Sequence, residues 1–99
     1  MTITLTKTLH LSLKKEYFDD IKAGKKPLEY RLMTPYWEKR LIGREYDQIV
    51  LALGYPPSFD TERRLILPYQ GYTMANILHR HFGRWPVDVF AIDVSGAPL

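Results

Sequence analysis

The segment GKKPLEYR, residues 24–31, brings a lysine, a glutamate and an arginine together directly after a glycine that can end a helix. Its pattern is typical of a β-strand, in which side chains alternate between two faces. We therefore expect Glu29 and Arg31 on one face, with Tyr30 and its leucine neighbours on the other. The apolar face is the one expected to be buried. This leaves an acid and a base on the second face, with Lys26 at the start of the strand.

The residues before this segment predict a strand and a helix. Apolar and polar residues alternate from Leu5 to Leu13, which is the pattern of a strand with one buried face. Residues 14–23 have helical spacing, with Ser12 as the expected N-cap and Gly24 as the stop signal. The N-terminal part is therefore predicted as strand, helix and then the motif strand.

Further short elements are predicted after the motif. Thr34 followed by Pro35 favours the start of a short helix, because proline suits the first helical position. Residues 73–82 have helical spacing before a glycine and predict another helix. Strands are predicted at three other places. Residues 49–53 are expected to be covered on both faces, and residues 63–67 to lie at an edge or to end there, because Pro68 follows. Residues 87–94 are expected to form a central strand.

This order of elements predicts an α+β fold. Strands and helices alternate at first, but the later strands follow too closely for a doubly wound sheet. We expect a small, curved, mixed or antiparallel β-barrel of about five to six strands, with two or three short helices. The chain has 99 residues, 45% of them apolar, which suits one core, so a single domain over residues 1–99 is predicted.

Composition excludes several classes of protein. The chain has no cysteine, which excludes disulfides, thiol catalysis and cysteine-ligated zinc, and agrees with a cytoplasmic location. No apolar run approaches the roughly 20 residues of a membrane helix, and no signal peptide is visible, so no membrane partner is expected.

Positive charge is concentrated around the motif. Residues 14–44 contain nine basic and five acidic residues, an excess larger than the net charge of +3 for the whole chain. Such a concentration is expected of a surface that faces phosphate, and equally of a solvated helix face. The segment PYWEKR, residues 35–40, interleaves aromatic and basic side chains, as RNA recognition requires.

The motif resembles that of the ASCH domain, a small β-barrel of the PUA-like superfamily with the usual pattern G-x-K-T-x-E-x-R. Gly24, Lys26, Glu29 and Arg31 match this pattern, while Pro27 replaces the customary threonine. Residues 35–41 and 43–47 are similar to a branch of small ASCH proteins from bacteria and phages. The resemblance implies a cleft for RNA or a modified nucleobase.

The first functional hypothesis is therefore an RNA- or modified-nucleoside-binding domain. Lys26 and Arg31 would hold phosphate and Glu29 would accept a hydrogen bond from a base amino group. Aromatic stacking and further phosphate contacts complete the predicted site, through Trp37, Tyr55 in a proline-rich loop, Lys39 and Arg40. A structural ion pair of Glu29 with Arg31, and solvated charges on the helix, are the non-functional interpretations.

The alternative hypothesis is a small hydrolase, either a ribonuclease or an amidohydrolase acting on a modified base. Some relatives resemble amidohydrolases that deacetylate N4-acetylcytidine with a lysine, a threonine and a glutamate. The threonine corresponds to Glu29 here, so Lys26 and Glu29 would have to form the acid–base pair. Asp60 and Glu62 are candidates for a second carboxylate, or belong to a solvated loop.

The two histidines in the C-terminal part of the chain are a weak indication of a metal site. On the predicted helix, His79 and His81 would diverge by about 200°, and they would share a face only on a strand. Without cysteines or a convincing carboxylate partner, we expect neither a metal site nor a cofactor.

Overall fold

The computed structural model describes residues 7–57 and 59–99. Leu5 of the first predicted strand and Ser58 of the proline-rich loop lie outside these residues. The chain forms, in order, β1 (Thr8–Leu13), α1 (Lys15–Lys22), β2 (Leu28–Leu32), α2 (Pro35–Leu41), β3 (Gln48–Leu53), β4 (Arg64–Pro68), β5 (Tyr72–Ile77), a short 3₁₀ helix (Arg80–Phe82) and β6 (Val87–Asp93). No described helix is long and apolar enough to cross a membrane.

The first sheet has the strand order β1-β3-β4. β1 pairs in parallel with β3, and this geometry requires the long crossover that α1, β2 and α2 provide. Leu9, Leu11 and Leu13 are buried on one face of β1, as their alternation predicts. Ile49, Val50 and Leu51 are buried in succession, so the prediction of a strand covered on both faces is confirmed for β3.

The second sheet has the order β2-β6-β5, and both of its pairings are antiparallel. β6 lies in the middle, and its residues Val89 to Ile92 are all buried. This confirms the prediction of a central last strand, because only a strand with neighbours on both sides and cover on both faces tolerates so many consecutive apolar residues.

The α+β class is confirmed, but the predicted barrel is wrong. Within the described part of the chain, six strands form two separate three-stranded sheets, and no hydrogen-bonded ladder joins one sheet to the other. Buried side chains of both sheets and both α-helices nevertheless form one core, which includes Leu11, Leu51, Phe18, Leu41 and Phe90. The sheets are held by packing rather than by closure, and alternation along single strands cannot reveal this difference.

The predicted helix over residues 73–82 is also wrong. Residues Tyr72–Ile77 form the edge strand β5, which pairs with β6 over six positions. Tyr, Thr and Ile favour strands, and pairing with β6 decides between the two interpretations. Met74 and Leu78, part of the predicted helical stripe, are 59% and 67% exposed, so the stripe is not a buried face.

The ends of the two α-helices differ in how well they follow the sequence. Thr34 caps α2 as predicted, since its side chain accepts a hydrogen bond from the backbone N–H of Trp37. Ser12 does not cap α1: it belongs to β1, and its hydroxyl donates to the Gly54 carbonyl at 2.7 Å. The residue at the N-cap of α1 is Lys14, which makes no capping bond with its side chain.

Candidate ligand-binding site

The register of β2 against β6 turns the charged face of β2 inward. Glu29 pairs with Ile92 and Arg31 pairs with Phe90, and directly paired residues share a face of an antiparallel sheet. Ile92 and Phe90 are fully buried in the core. Glu29 is therefore only 6% exposed, and it is the only charged side chain classed as buried among the residues described. The expectation that the apolar face of β2 would be the buried one is wrong.

Lys26, Glu29 and Arg31, here called the charged cluster, are joined by hydrogen bonds between their charged groups. Lys26 Nζ lies 3.1 Å from Glu29 Oε1 and also donates to the Leu28 carbonyl. Arg31 Nη2 donates to Glu29 Oε2 at 2.9 Å and to the Ser12 carbonyl at 3.0 Å. Each carboxylate oxygen thus has one cationic partner, as a charge inside a protein requires.

Aromatic rings contact both cations of the cluster. Lys26 Nζ lies 5.5 Å from the ring centre of Tyr17 and 5.0 Å from that of Tyr30. The Arg31 guanidinium lies 5.1 Å from the ring of Trp37. These distances are within the range of cation–π interactions, so α1, β2 and α2 each supply a ring that positions a cation.

The charged cluster lies at the wall of a cavity of about 480 Å³. This volume is within the roughly 300–1,000 Å³ typical of small-molecule sites. Glu29 is the only acidic side chain among the described residues that line it. Rings form most of the remaining wall: Tyr17, Tyr30, Tyr36, Trp37, His79, His81 and Phe82. The cavity therefore combines ring faces with a hydrogen-bonding charged group.

The structure brings His79 and His81 to this cavity together, contrary to their predicted divergence on a helix. The ring centres of His79 and His81 lie 6.2 and 5.7 Å from that of Tyr17. His79 has an extended backbone and precedes the short 3₁₀ helix, so the geometry that separates the two rings on an α-helix does not apply. The spacing H-x-H was the signal in the sequence, because two residues separated by one position share a face only where the backbone is extended.

One hydrogen bond sets the tautomer of the neutral His79 ring. Its Nδ1 accepts from the backbone N–H of His81 at 3.1 Å. In the neutral imidazole the proton then lies on Nε2, which makes this atom a donor. Within the described residues no group of three or more acidic or histidine side chains is arranged to hold a metal ion.

The other predicted site residues occupy three different places. Trp37 lines the cavity, whereas Lys39 and Arg40 do not. Arg40 stacks on Tyr36 instead, with its guanidinium 3.4 Å from the ring centre. Tyr55 is 95% exposed and lines a neighbouring cavity.

The second carboxylate considered in the sequence does not reach the site. Asp60 lies 3.4 Å from Arg63 in a surface ion pair, and Glu62 is exposed. Neither residue lines the cavity with the charged cluster.

Sequence reasoning found the charged cluster and Trp37 but missed much of the aromatic wall. Tyr17 and Tyr30 resemble core residues in the sequence, because their spacing fits the buried stripes of a helix and a strand. Comparison of the chain with protein-family models, with curated proteins and with solved structures gives no match. The resemblance to ASCH domains therefore rests on the motif residues themselves.

Proposed function

We propose that this domain binds RNA or a modified nucleoside, with one base inserted into the cavity beside the charged cluster. The observation that carries the proposal is the burial of Glu29, held by Lys26 and Arg31, at the wall of a cavity that is also lined by seven rings. A flat ligand with a polar edge fits such a site, and a nucleobase is of this kind. A cytoplasmic location, expected from the lack of cysteine, would give the site access to RNA.

The charged cluster has hydrogen-bonding capacity to spare. A carboxylate offers about four acceptor positions, and the two cations occupy one on each oxygen of Glu29. Lys26 has three donors, of which the Leu28 carbonyl and Glu29 take two. One wall thus presents an acceptor and a donor side by side, which is what the polar edge of a base requires.

The rings supply the second part of recognition. Trp37 and the tyrosines of the wall offer faces on which a base can stack, a contact worth about 1–3 kcal/mol per base. Stacking is tolerant of the kind of base, whereas hydrogen bonding to Glu29 selects bases with an amino group. We therefore infer that the rings contribute affinity and the charged cluster contributes selectivity.

A purely structural role for the charged cluster is less well supported. A buried ion pair is weak evidence for stability, since apolar residues of similar volume often serve as well. The side chains of Lys26 and Arg31 remain 15% and 19% exposed and border the cavity. Groups with remaining donors at a cavity wall are suited to contact a ligand.

A small hydrolase is the second candidate, and the contact of 3.1 Å between Lys26 and Glu29 favours it. The pair would serve as acid and base on a ribonuclease or amidohydrolase substrate such as N4-acetylcytidine. The threonine of the similar amidohydrolases is absent at position 29, so Glu29 would have to activate water. We expect weak or no deacetylation for this reason.

One experiment separates these functions. The protein is incubated with a pool of short single-stranded RNAs, the four ribonucleosides and N4-acetylcytidine, and binding and products are followed by mass spectrometry. We expect bound ligand and no product. New products that require Glu29 would instead identify a hydrolase, and the absence of both binding and product would refute the proposal.

A further inference from the structure

A second cavity of about 430 Å³ adjoins the cavity of the charged cluster. The two cavities share four lining residues, Ser12, Arg31, Tyr36 and Trp37. Among the part of the chain that the structure describes, no acidic side chain lines the second cavity, and Arg64 and His10 also line it. This open surface lies next to the proposed base site, and its described lining would place no carboxylate against a bound anion.

Arg31 stands at the wall between the two cavities. Its Nη2 makes the bonds to Glu29 and Ser12, whereas its Nη1 and Nε have no hydrogen-bond partner among residues 7–57 and 59–99. Nε is also buried, and leaving such a donor unpaired is costly. A guanidinium held by a carboxylate and a ring, with its Nη1 donors unused, is suited to bind a phosphate.

An exposed ring also lines the second cavity. Tyr55 is 95% exposed, so packing within the domain does not explain it. Its loop is nevertheless held in place, because the Gly54 carbonyl accepts from Ser12 and the Gly54 N–H donates to the Leu13 carbonyl at 3.0 Å.

Arg64 also bonds to described residues of this loop on both sides of position 58. Its guanidinium donates to the carbonyls of Pro56 at 2.8 Å and Asp60 at 3.1 Å, and also to that of Pro57. Tyr55 is therefore a solvent-facing ring on a braced loop, the geometry of a stacking platform for a single strand.

We propose that the ligand is a nucleotide within a single-stranded RNA chain rather than a free nucleoside. One base enters the cavity of the charged cluster, the phosphate that follows or precedes it contacts Arg31, and the neighbouring nucleotide lies over the second cavity and stacks on Tyr55. This inference rests on the proposed function and adds a second nucleotide site to it. The shared wall makes the two cavities neighbours, as successive nucleotides of one strand would require.

The test compares ligands of one and two nucleotides. Affinities for the four ribonucleosides and the sixteen ribodinucleoside monophosphates are measured by isothermal titration calorimetry, with wild-type protein and with Tyr55→Ala. We expect at least one dinucleotide to bind more tightly than its component nucleosides. Tyr55→Ala should lower this preference about five- to 150-fold, as for the loss of one stacked base. Trp85→Ala, which removes another exposed ring that lines neither cavity, is the matched control and should preserve the preference.

Two results would overturn the inference in distinguishable ways. Nucleosides that bind as tightly as every dinucleotide, with no effect of Tyr55→Ala on the ratio, would exclude the second nucleotide site while the proposed function stands. Failure of every dinucleotide to bind would refute this inference, and the proposed function falls with it if the short RNAs and N4-acetylcytidine also fail to bind.

Discussion

Arg31 Nη2 lies 2.9 Å from Glu29 Oε2, and the two residues stand two positions apart on the inward face of β2. Lys26 contacts the other carboxylate oxygen, so Glu29 is held between two cations beside the cavity. The carboxylate is therefore the common element of the cluster. Its replacement should affect the ligand and both cations at once.

Glu29→Gln keeps the size of the side chain and removes its charge. The amide leaves one acceptor oxygen and turns its NH₂ group toward a cation, so we expect both binding and folding to weaken. The binding free energy for a ligand found in the pool of RNAs and nucleosides should weaken by about 1–3 kcal/mol, and the free energy of unfolding should fall by a similar amount. Calorimetric titration and urea denaturation measure the two effects. An unchanged affinity would remove Glu29 from the site, and loss of product formation would identify a hydrolase.

Lys26→Ala and Arg31→Ala should each weaken binding by about 1.5–3 kcal/mol, because each removes a hydrogen bond from a charged group. Lys39→Ala is the matched control, since Lys39 lies on α2 and does not line the cavity. It should leave affinity for a nucleoside nearly unchanged. Far-UV circular dichroism checks the fold of each variant. If Lys26→Ala or Arg31→Ala unfolds the domain, the cluster is chiefly a structural ion-pair network.

Binding of single-stranded RNA should depend on salt. The excess of basic residues between positions 14 and 44 favours contacts with phosphates, and each contact releases counterions. The logarithm of the association constant should fall with the logarithm of salt concentration, with a slope of about −0.7 per phosphate contacted. Fluorescence anisotropy at several salt concentrations gives this slope. A slope of zero would show that the basic residues between positions 14 and 44 make no contact with phosphates.

Thr34→Ala should destabilise the domain and disturb the cavity wall. The Thr34 side chain caps α2, which carries Trp37, and loss of such a cap costs about 0.5–2 kcal/mol. Thermal unfolding measures the loss, and Thr34→Ser, which keeps the hydroxyl, should restore most of it. Equal melting temperatures for Thr34→Ala and wild type would show that the cap contributes nothing.

Asp93 should make stability sensitive to acid. The Ser95 hydroxyl and backbone N–H donate to its carboxylate at 2.6 and 2.9 Å, and these bonds lower the pKa of Asp93 below its usual value. Its contribution to stability is present above the unfolded-state pKa of about 3.9 and is lost as the pH falls through the folded-state pKa. Ser95→Ala should therefore destabilise the protein at neutral pH and have less effect at about pH 2. Urea denaturation at both pH values tests this, and an equal effect at both would contradict it.

The elements set by local chemistry could be predicted from the sequence. Thr34 with Pro35 marked the start of α2. The continuous apolar residues of β3 marked a strand covered on both faces, and those of β6 marked a central strand. Such signals depend on neighbours along the chain and not on the rest of the fold.

The elements set by pairing between distant parts of the chain could not be predicted from the sequence. β5 is a strand because it pairs with β6, and the same partner turns Glu29 inward by pairing Ile92 with it. His79 and His81 lie beside Tyr17 of α1 because β5 ends there, although β5 is distant from α1 in the sequence. The motif identified the residues of the charged cluster but not their burial or their aromatic surroundings.

The most direct test of the central claim uses the chain's two tryptophans as internal reporters. Trp37 lines the cavity with the charged cluster, whereas Trp85 is 79% exposed and lines neither of the two cavities. NMR spectra that resolve the indole and backbone N–H signals are recorded while single-stranded RNA or the best-binding nucleoside is added. We predict saturable shifts of the Trp37 indole and of the amides of Lys26, Glu29 and Arg31, with the Trp85 indole unchanged. Shifts confined to Trp85 and other distant residues, or no saturable shift at all, would contradict a binding site at the charged cluster.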